Sequence, residues 1–295
     1  MHGTVADPYI PVYGNKVIGV RYGVLDFHGV KRVPTWATLD STADAGSNTI
    51  TLQGEIDWQV GELIGIASTS YEGREGEKRT IVSIDRTVVD KPVITLDKPL
   101  EYEHIGAIET YGSKYPEDWI ETRGEVGLLS RNVKFRGDPE TSEKNQYGAN
   151  MFLHSEGDES LISRIENIEL HQTGQAFKIG RYSIHHHMIG NVAKSYIRGI
   201  SCHQSFNRMI TLHAIRYLHI DNNVGFDIMG HAIFLEDGVE RKNLITNNLI
   251  MMVKRSMSLL NTDQTPACFW ITNPDNNFVG NHAAGSDRYG FWYDL

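Results

Sequence analysis

The chain has 295 residues, a mass of 33.3 kDa, a formal net charge of −9 and a pI near 5.8. That acidity, with no Lys/Arg-dense segment, excludes a general nucleic-acid binder. No run of eighteen apolar residues reads as a membrane span, and no signal peptide opens the chain.

Aliphatic residues, 28 glycines and few long amphipathic stretches suit an all-β chain with many turns. In the first third, β segments at 16–20, 24–27, 49–52, 63–67, 79–84 and 93–96 alternate with Gly, Asp and Pro turns. Gly14, Gly19, Gly23, Gly29, Gly46, Gly54 and Gly61 fall at those turns or at strand edges. A connecting stretch follows from Glu109 to Asp138, and Val133-Lys134-Phe135 opens the first well-formed coil. Segment 138–150 is polar and reads as an exposed loop. The expected division is a glycine-rich β region over 1–115 and stacked coils over 116–295, the first packed on the end of the second.

Five times in the second half a β-branched residue is followed, three positions on, by His or Asn. The pairs are Ile168/His171, Ile200/His203, Ile220/Asn223, Ile245/Asn248 and Val279/His282. Constant local spacing with variable separation is the mark of stacked coils joined by elastic loops. The chain therefore reads as an all-β, right-handed parallel β-helix, the hand following the general crossover rule. On this reading the five β-branched residues form one inward ladder. The five His and Asn residues are bend residues that satisfy buried peptide groups. Cys202 sits in such a column, so a buried free thiol is expected rather than a disulfide with Cys268.

Three groups of residues could carry chemistry. In His185-His186-His187 the outer two project to one side of a strand, about 7 Å apart at Cα, and can share a metal or a ligand. The plainer reading is a polar stack bonded to nearby turns. Glu236-Asp237, after His231 and before Gly238, suits Ca²⁺, a sugar hydroxyl or acid–base work. It equally suits a turn whose Asp bonds the backbone. The aromatics Phe269, Trp270, Phe291, Trp292 and Tyr293 either stack on sugars or, more simply, cap the core. Arg208, His213 and Asp227 come within reach if the coils stack. The binding surface is expected where 181–192 approaches 230–238. It would hold His185, His187, His231, Glu236, Asp237 and Arg208, with His187, Glu236 and Asp237 as catalytic candidates. His185, His187 and Asp237 are the metal candidates; no cofactor is fixed by the sequence, and Ca²⁺ is the one candidate. Arg181, Lys194, Arg198, Arg208 and Arg216 could line a basic groove. No nucleophilic triad, phosphate loop or dinucleotide fingerprint is present, nor any Asn-X-Ser/Thr sequon.

Six ordered blocks carry a family resemblance: YGNKVIGVRYGVLDFHG (13–29), NTITLQGEIDWQVGELIGIAST (48–69), EVGLLSRNVKFRGD (125–138), RYSIHHHMIGNV (181–192), GHAIFLEDGVERKN (230–243) and SMSLLNTDQTPACFWITNPDNN (256–277). Together they resemble the fibrocystin and fibrocystin-like ectodomains. The likeness is less close to the cell-migration-inducing hyaluronan-binding proteins and their membrane-anchored hyaluronidase relative. The resemblance implies an eight-glycine domain followed by parallel β-helix repeats. Residue 1 falls inside that first domain, as in a fragment or a divergent short form. The stretch after Leu260 lacks the cysteine-bearing insertion of the hyaluronan-degrading branch. The family's Ile-His-aromatic-His motif maps His185 and His187; His186 departs from it. The implied function is a non-catalytic extracellular or cell-surface module that meets matrix, glycan or protein. The alternative is a glycan-depolymerising enzyme like the hyaluronan-degrading relatives. The expected setting is extracellular or the ectodomain of an anchored protein. No nucleic acid is expected as partner, and the oligomeric state is left open.

Overall fold

Alternating burial along short β-branched strands folds the chain into stacked coils, in which each strand pairs in parallel with its equivalent one coil on. The computed structural model describes residues 1–110, 118–257 and 261–295. Three parallel sheets form the walls of a right-handed β-helix. The first, here the site sheet, contains Val17–Arg21, Asn150–His154, Ile184–Asn191, Ile210–Arg216, Ile233–Leu235, Ala267–Ile271 and Tyr289–Tyr293. The open sheet runs from Gly23–His28 to Asn277–Val279 and the covered sheet from Val133–Arg136 to His282–Ser286, six strands each. Inward residues such as Ile165, Ile184, Ile197, Ile210, Ile220 and Ile245 make one continuous core. Cys202 and Cys268 lie buried as free thiols, and burial pushes Cys202 up to about 11.

Strand pairing divides the chain differently from expectation. Val17–Arg21 pairs with Asn150–His154, and Gly23–His28 with Leu161–Glu166, so residues 17–28 already belong to the first coil. Val133–Arg136 completes that coil. The six-stranded antiparallel sheet between Trp36 and Leu128 is thus an insertion within it. The boundary expected at 115 lies outside the described residues. The inserted domain rests on the flank of the β-helix, over the covered sheet, rather than on its end. Gly65 and Gly127 allow this approach: a Cβ on either would stand 2.6 Å from the Phe226 ring or 2.5 Å from Val224. Trp36 Nε1 donates to Asn247 O at 2.8 Å, and Ala67, Leu129, Val224, Phe226, Leu249 and Met251 fill the seam. Segment 138–150 is an exposed loop only in part: Pro139, Glu140 and 143–145 are exposed, whereas Asp138, Ser142 and 147–150 are buried. Lys16 Nζ reaches Ser142 Oγ and Tyr147 O at 3.0 and 2.9 Å beside this buried part.

The five-fold signature splits into two registers. Ile165, Ile197, Ile220, Ile245 and Phe278 stack in one column. Ile168 and Ile200 belong to another, which continues as Asn223, Asn248 and Asn281. Val279 pairs with Thr246 and points to solvent, 60% exposed. The true repeat is a left-handed turn residue, Asn167, Gly199, Asn222, Asn247 and Gly280, with φ from 53° to 64°. Ile follows it in two coils and Asn in three, which mimics a single ladder when only the sequence is read. Asn223 and Asn248 do satisfy the backbone, donating to Ile197 O and Ile220 O, both at 3.1 Å. His171, His203 and His282 are not bend residues. The first two stack with ring centroids 4.4 Å apart, and His282 meets Glu125 at 2.7 Å.

Candidate functional site

Four successive strands of the site sheet share one local pattern: Met151-Phe-Leu-His154, Ile184-His-His-His187, Ile210-Thr-Leu-His213 and Ile233-Phe-Leu-Glu236. Strand alternation turns the first and third positions inward and the second and fourth outward. His154 pairs with His187 and His187 with His213. Leu212 pairs with Leu235 and accepts the Glu236 N–H at 3.0 Å, so Glu236 continues the column. The neighbouring outward column runs Phe152, His185, Thr211, Phe234 and Trp270. His187 and Glu236 thus face the same way, two coils apart, with His213 between them.

The side chains converge on one point. His185, His187 and His213 each offer a ring nitrogen within 4.8 Å of the others. Glu236 Oε2 lies 3.6 Å from both His185 Nε2 and His213 Nδ1. His213 Nε2 meets Asp237 Oδ2 at 2.6 Å, and His185 Nδ1 donates to Gly180 O at 3.1 Å. His185 Nε2, His187 Nδ1, His213 Nδ1 and Glu236 Oε2 are all buried atoms without a hydrogen-bond partner. Phe152 flanks them, its ring 5.0 Å from His185 and 5.2 Å from His187.

Burial sets the local electrostatics. It holds His185 well below the usual imidazole range, with His187 adding to the effect, and lowers His187 to about 4, reinforced by His213. Both rings are neutral at pH 7 and carry lone pairs. Burial also raises Glu236 from its ordinary value. His186 points into the core instead, where its Nε2 meets Ser163 Oγ at 2.7 Å and burial lowers it to about 3.

Arg208 and His231 do not belong to the binding surface as expected. Arg208 is fully buried, forked onto Asp263 at 3.1 and 2.9 Å and lying 3.7 Å from the Phe234 ring centroid. His231 Nδ1 accepts the Ala267 N–H at 3.1 Å beneath the same layer. A buried cation needs its counter-ion, and Asp263 already supplies it. Asp227 pairs with Lys254 on the covered sheet. The expected basic groove disperses in part: Arg198 lies over Tyr196 on the open sheet and Arg216 pairs with Glu159 at 3.1 Å, whereas Arg181 stays beside the site, 5.2 Å from the Phe152 ring centroid. Among the aromatics, Phe269 lies in the end of the core and stacks at 4.6 Å on the exposed Phe291. Trp270 and Trp292 join Phe234 in a separate outward cluster. His154, Asp237's bond to His213 and the Gly180 carbonyl were missed as parts of the site. The repeated fourth-position His, His, His and Glu was the signal that marked the column.

Comparison with known proteins places this architecture. The CEMIP beta-helix family matches residues 146–295. The whole chain is 40% identical to Fibrocystin-L of Mus musculus, of which it spans 8%. Over 96% of its length it is 32% identical to a G8 domain-containing protein of Dictyostelium discoideum, covering 19% of that protein. Over 80% it is 30% identical to the human cell surface hyaluronidase CEMIP2, again covering 19%. The chain therefore spans a small part of each of these relatives.

Proposed function

Because the chain belongs to the CEMIP beta-helix family, we propose that it is a non-catalytic glycan-recognition module of an extracellular or cell-surface protein. The outer face of the site sheet is its binding surface. One observation carries the reading: His187, His213, Glu236 and Asp237 open from adjacent coils, with the Arg181 guanidinium beside them over the buried Phe152 ring. Imidazoles and carboxyl groups converging on one outward face suit the hydroxyls of a sugar. Arg208 is bound to Asp263, Arg198 lies on another sheet and Arg216 pairs with Glu159, which leaves Arg181 as the cation beside the site, so a neutral or weakly acidic glycan fits better than a dense polyanion.

A second reading is glycoside cleavage, favoured by the raised Glu236 next to Asp237. A carboxyl of raised pKa beside a second carboxyl is the pairing that glycosidases use. Size-defined hyaluronan and neutral oligosaccharides, incubated with and without Ca²⁺ and followed by retention and product sizing, separate the two. Retention without shortening supports recognition. Shortening that disappears in Glu236→Gln supports cleavage, and neither retention nor shortening rejects both.

A further inference from the structure

The converging atoms at this face are oriented for more than a sugar. We infer that His185, His187, His213 and Glu236 form a four-donor site for a divalent transition metal of the zinc class. The inference rests on the preceding reading only for the choice of face.

The argument begins with what holds each ring. His185 donates through Nδ1 to the Gly180 carbonyl at 3.1 Å, which leaves Nε2 as the bare lone pair. That Nε2 is buried, has no partner and looks toward Glu236 Oε2 at 3.6 Å. His213 is held from the other side. Its Nε2 meets the Asp237 carboxylate at 2.6 Å, so Nδ1 faces inward, also buried, without a partner and 3.6 Å from the same oxygen. His187 adds a third buried, partnerless nitrogen. A carbonyl on one imidazole and a carboxylate on another are the outer bonds that orient metal-binding histidines and set their tautomers.

Distance and donor type agree. Tetrahedral bonds of about 2.0–2.1 Å put neighbouring donor atoms about 3.4 Å apart. Glu236 Oε2 stands at 3.6 Å from two of the nitrogens, and the three nitrogens lie within 4.8 Å of one another. Completing the set requires Glu236 to turn toward His187, because the mutual 4.8 Å group consists of the three histidines. Ca²⁺ seeks six to eight oxygens, whereas three of these four donors are imidazoles, which suit zinc, copper or nickel. Asp237 thus acts on the metal through His213 and is not itself a ligand. The other histidine–carboxylate cluster, Glu169, His171 and His203, makes a useful contrast. Its Glu169 already takes the Arg131 N–H and Lys134 Nζ, both at 3.0 Å, and needs no ion.

The test uses the full chain, stripped with chelator and titrated with Zn²⁺ by calorimetry and with Co²⁺ by visible absorption. The expected result is one tight equivalent and the intense bands of four-coordinate Co²⁺. His187→Ala or His213→Ala should weaken binding by about 100-fold or more, and Asp237→Asn by about 10- to 100-fold. His171→Gln should leave it unchanged. Absence of uptake, a weak octahedral Co²⁺ spectrum, displacement of Co²⁺ by Ca²⁺, or uptake that survives His187→Ala with His213→Ala overturns the inference. If those variants do not fold, the wild-type Co²⁺ spectrum still reports the donor number. No glycan enters the titration, so a chain that binds metal but no sugar upholds this site and rejects only the recognition reading.

Discussion

Glu236 Oε2 lies 3.6 Å from His213 Nδ1, while the other ring nitrogen of His213 rests on Asp237 at 2.6 Å. Two adjacent carboxyl groups therefore flank one imidazole: Asp237 bonds it, and Glu236 faces its unpartnered nitrogen. Glu236 and Asp237 follow each other at the end of a strand, where alternation ends and the chain turns at Gly238. Successive side chains can there reach the same ring.

Acid should destabilise the fold through its buried imidazoles. Burial sets His186 at about 3, below the roughly 6.5 of an unfolded chain. Between these values the unfolded state binds a proton that the folded state refuses, so stability falls as pH drops through that window. The neighbours of His186 in its column are Leu153 and Leu212. His186→Leu is expected to flatten the loss of stability between pH 6 and pH 4, measured as urea midpoints. An unchanged slope would assign the acid sensitivity to other groups.

Ile220→Asp should cost several kcal/mol, because an unpaired carboxylate enters a dry column between Ile197 and Ile245. Val279→Asp should cost little, since that side chain faces solvent. Equilibrium unfolding of both variants compares the two registers directly, and equal costs would contradict the split.

Asn223→Ala removes the bonds to Ile197 O and Asn248 Oδ1 and the acceptor for the Ile200 N–H. A loss of roughly 1–3 kcal/mol is expected, from buried groups left unpaired. His282→Ala should cost less, because its bond to Glu125 lies on a partly exposed seam. Thermal and urea melts measure both.

Gly127→Val should loosen the inserted domain from the β-helix. Its Cβ would stand 2.5 Å from Val224 and 2.9 Å from Met251, and overpacking of this kind costs roughly 1–3 kcal/mol. Limited proteolysis should then cleave the connections near residues 30–35 and 129–132 before the coils unfold. A variant as resistant as the wild type would show that the seam yields without separating.

The class of fold and the family were readable from residue order. Coil stacking needs β-branched residues, turn glycines and asparagines at fixed local offsets, and those offsets are written in the chain. The neighbourhood of His185, His187, Glu236 and Asp237 was readable too, since pairing by coils brings those strands together. Column membership was not. Ile168 and Ile220 have the same local spacing to His171 and Asn223, yet lie on opposite sides of a left-handed turn. Only backbone pairing between coils distinguishes them. Nor could residue order reveal that residues 17–28 begin the β-helix before the inserted domain departs, because their partners lie more than 120 positions away. Arg208 belongs to the same class of surprise. An arginine near a histidine cluster reads as a surface ligand until a carboxylate 55 positions on, Asp263, buries it as its counter-ion. Side-chain character and local period are properties of the chain. Which groups lose water together is decided by packing at long range.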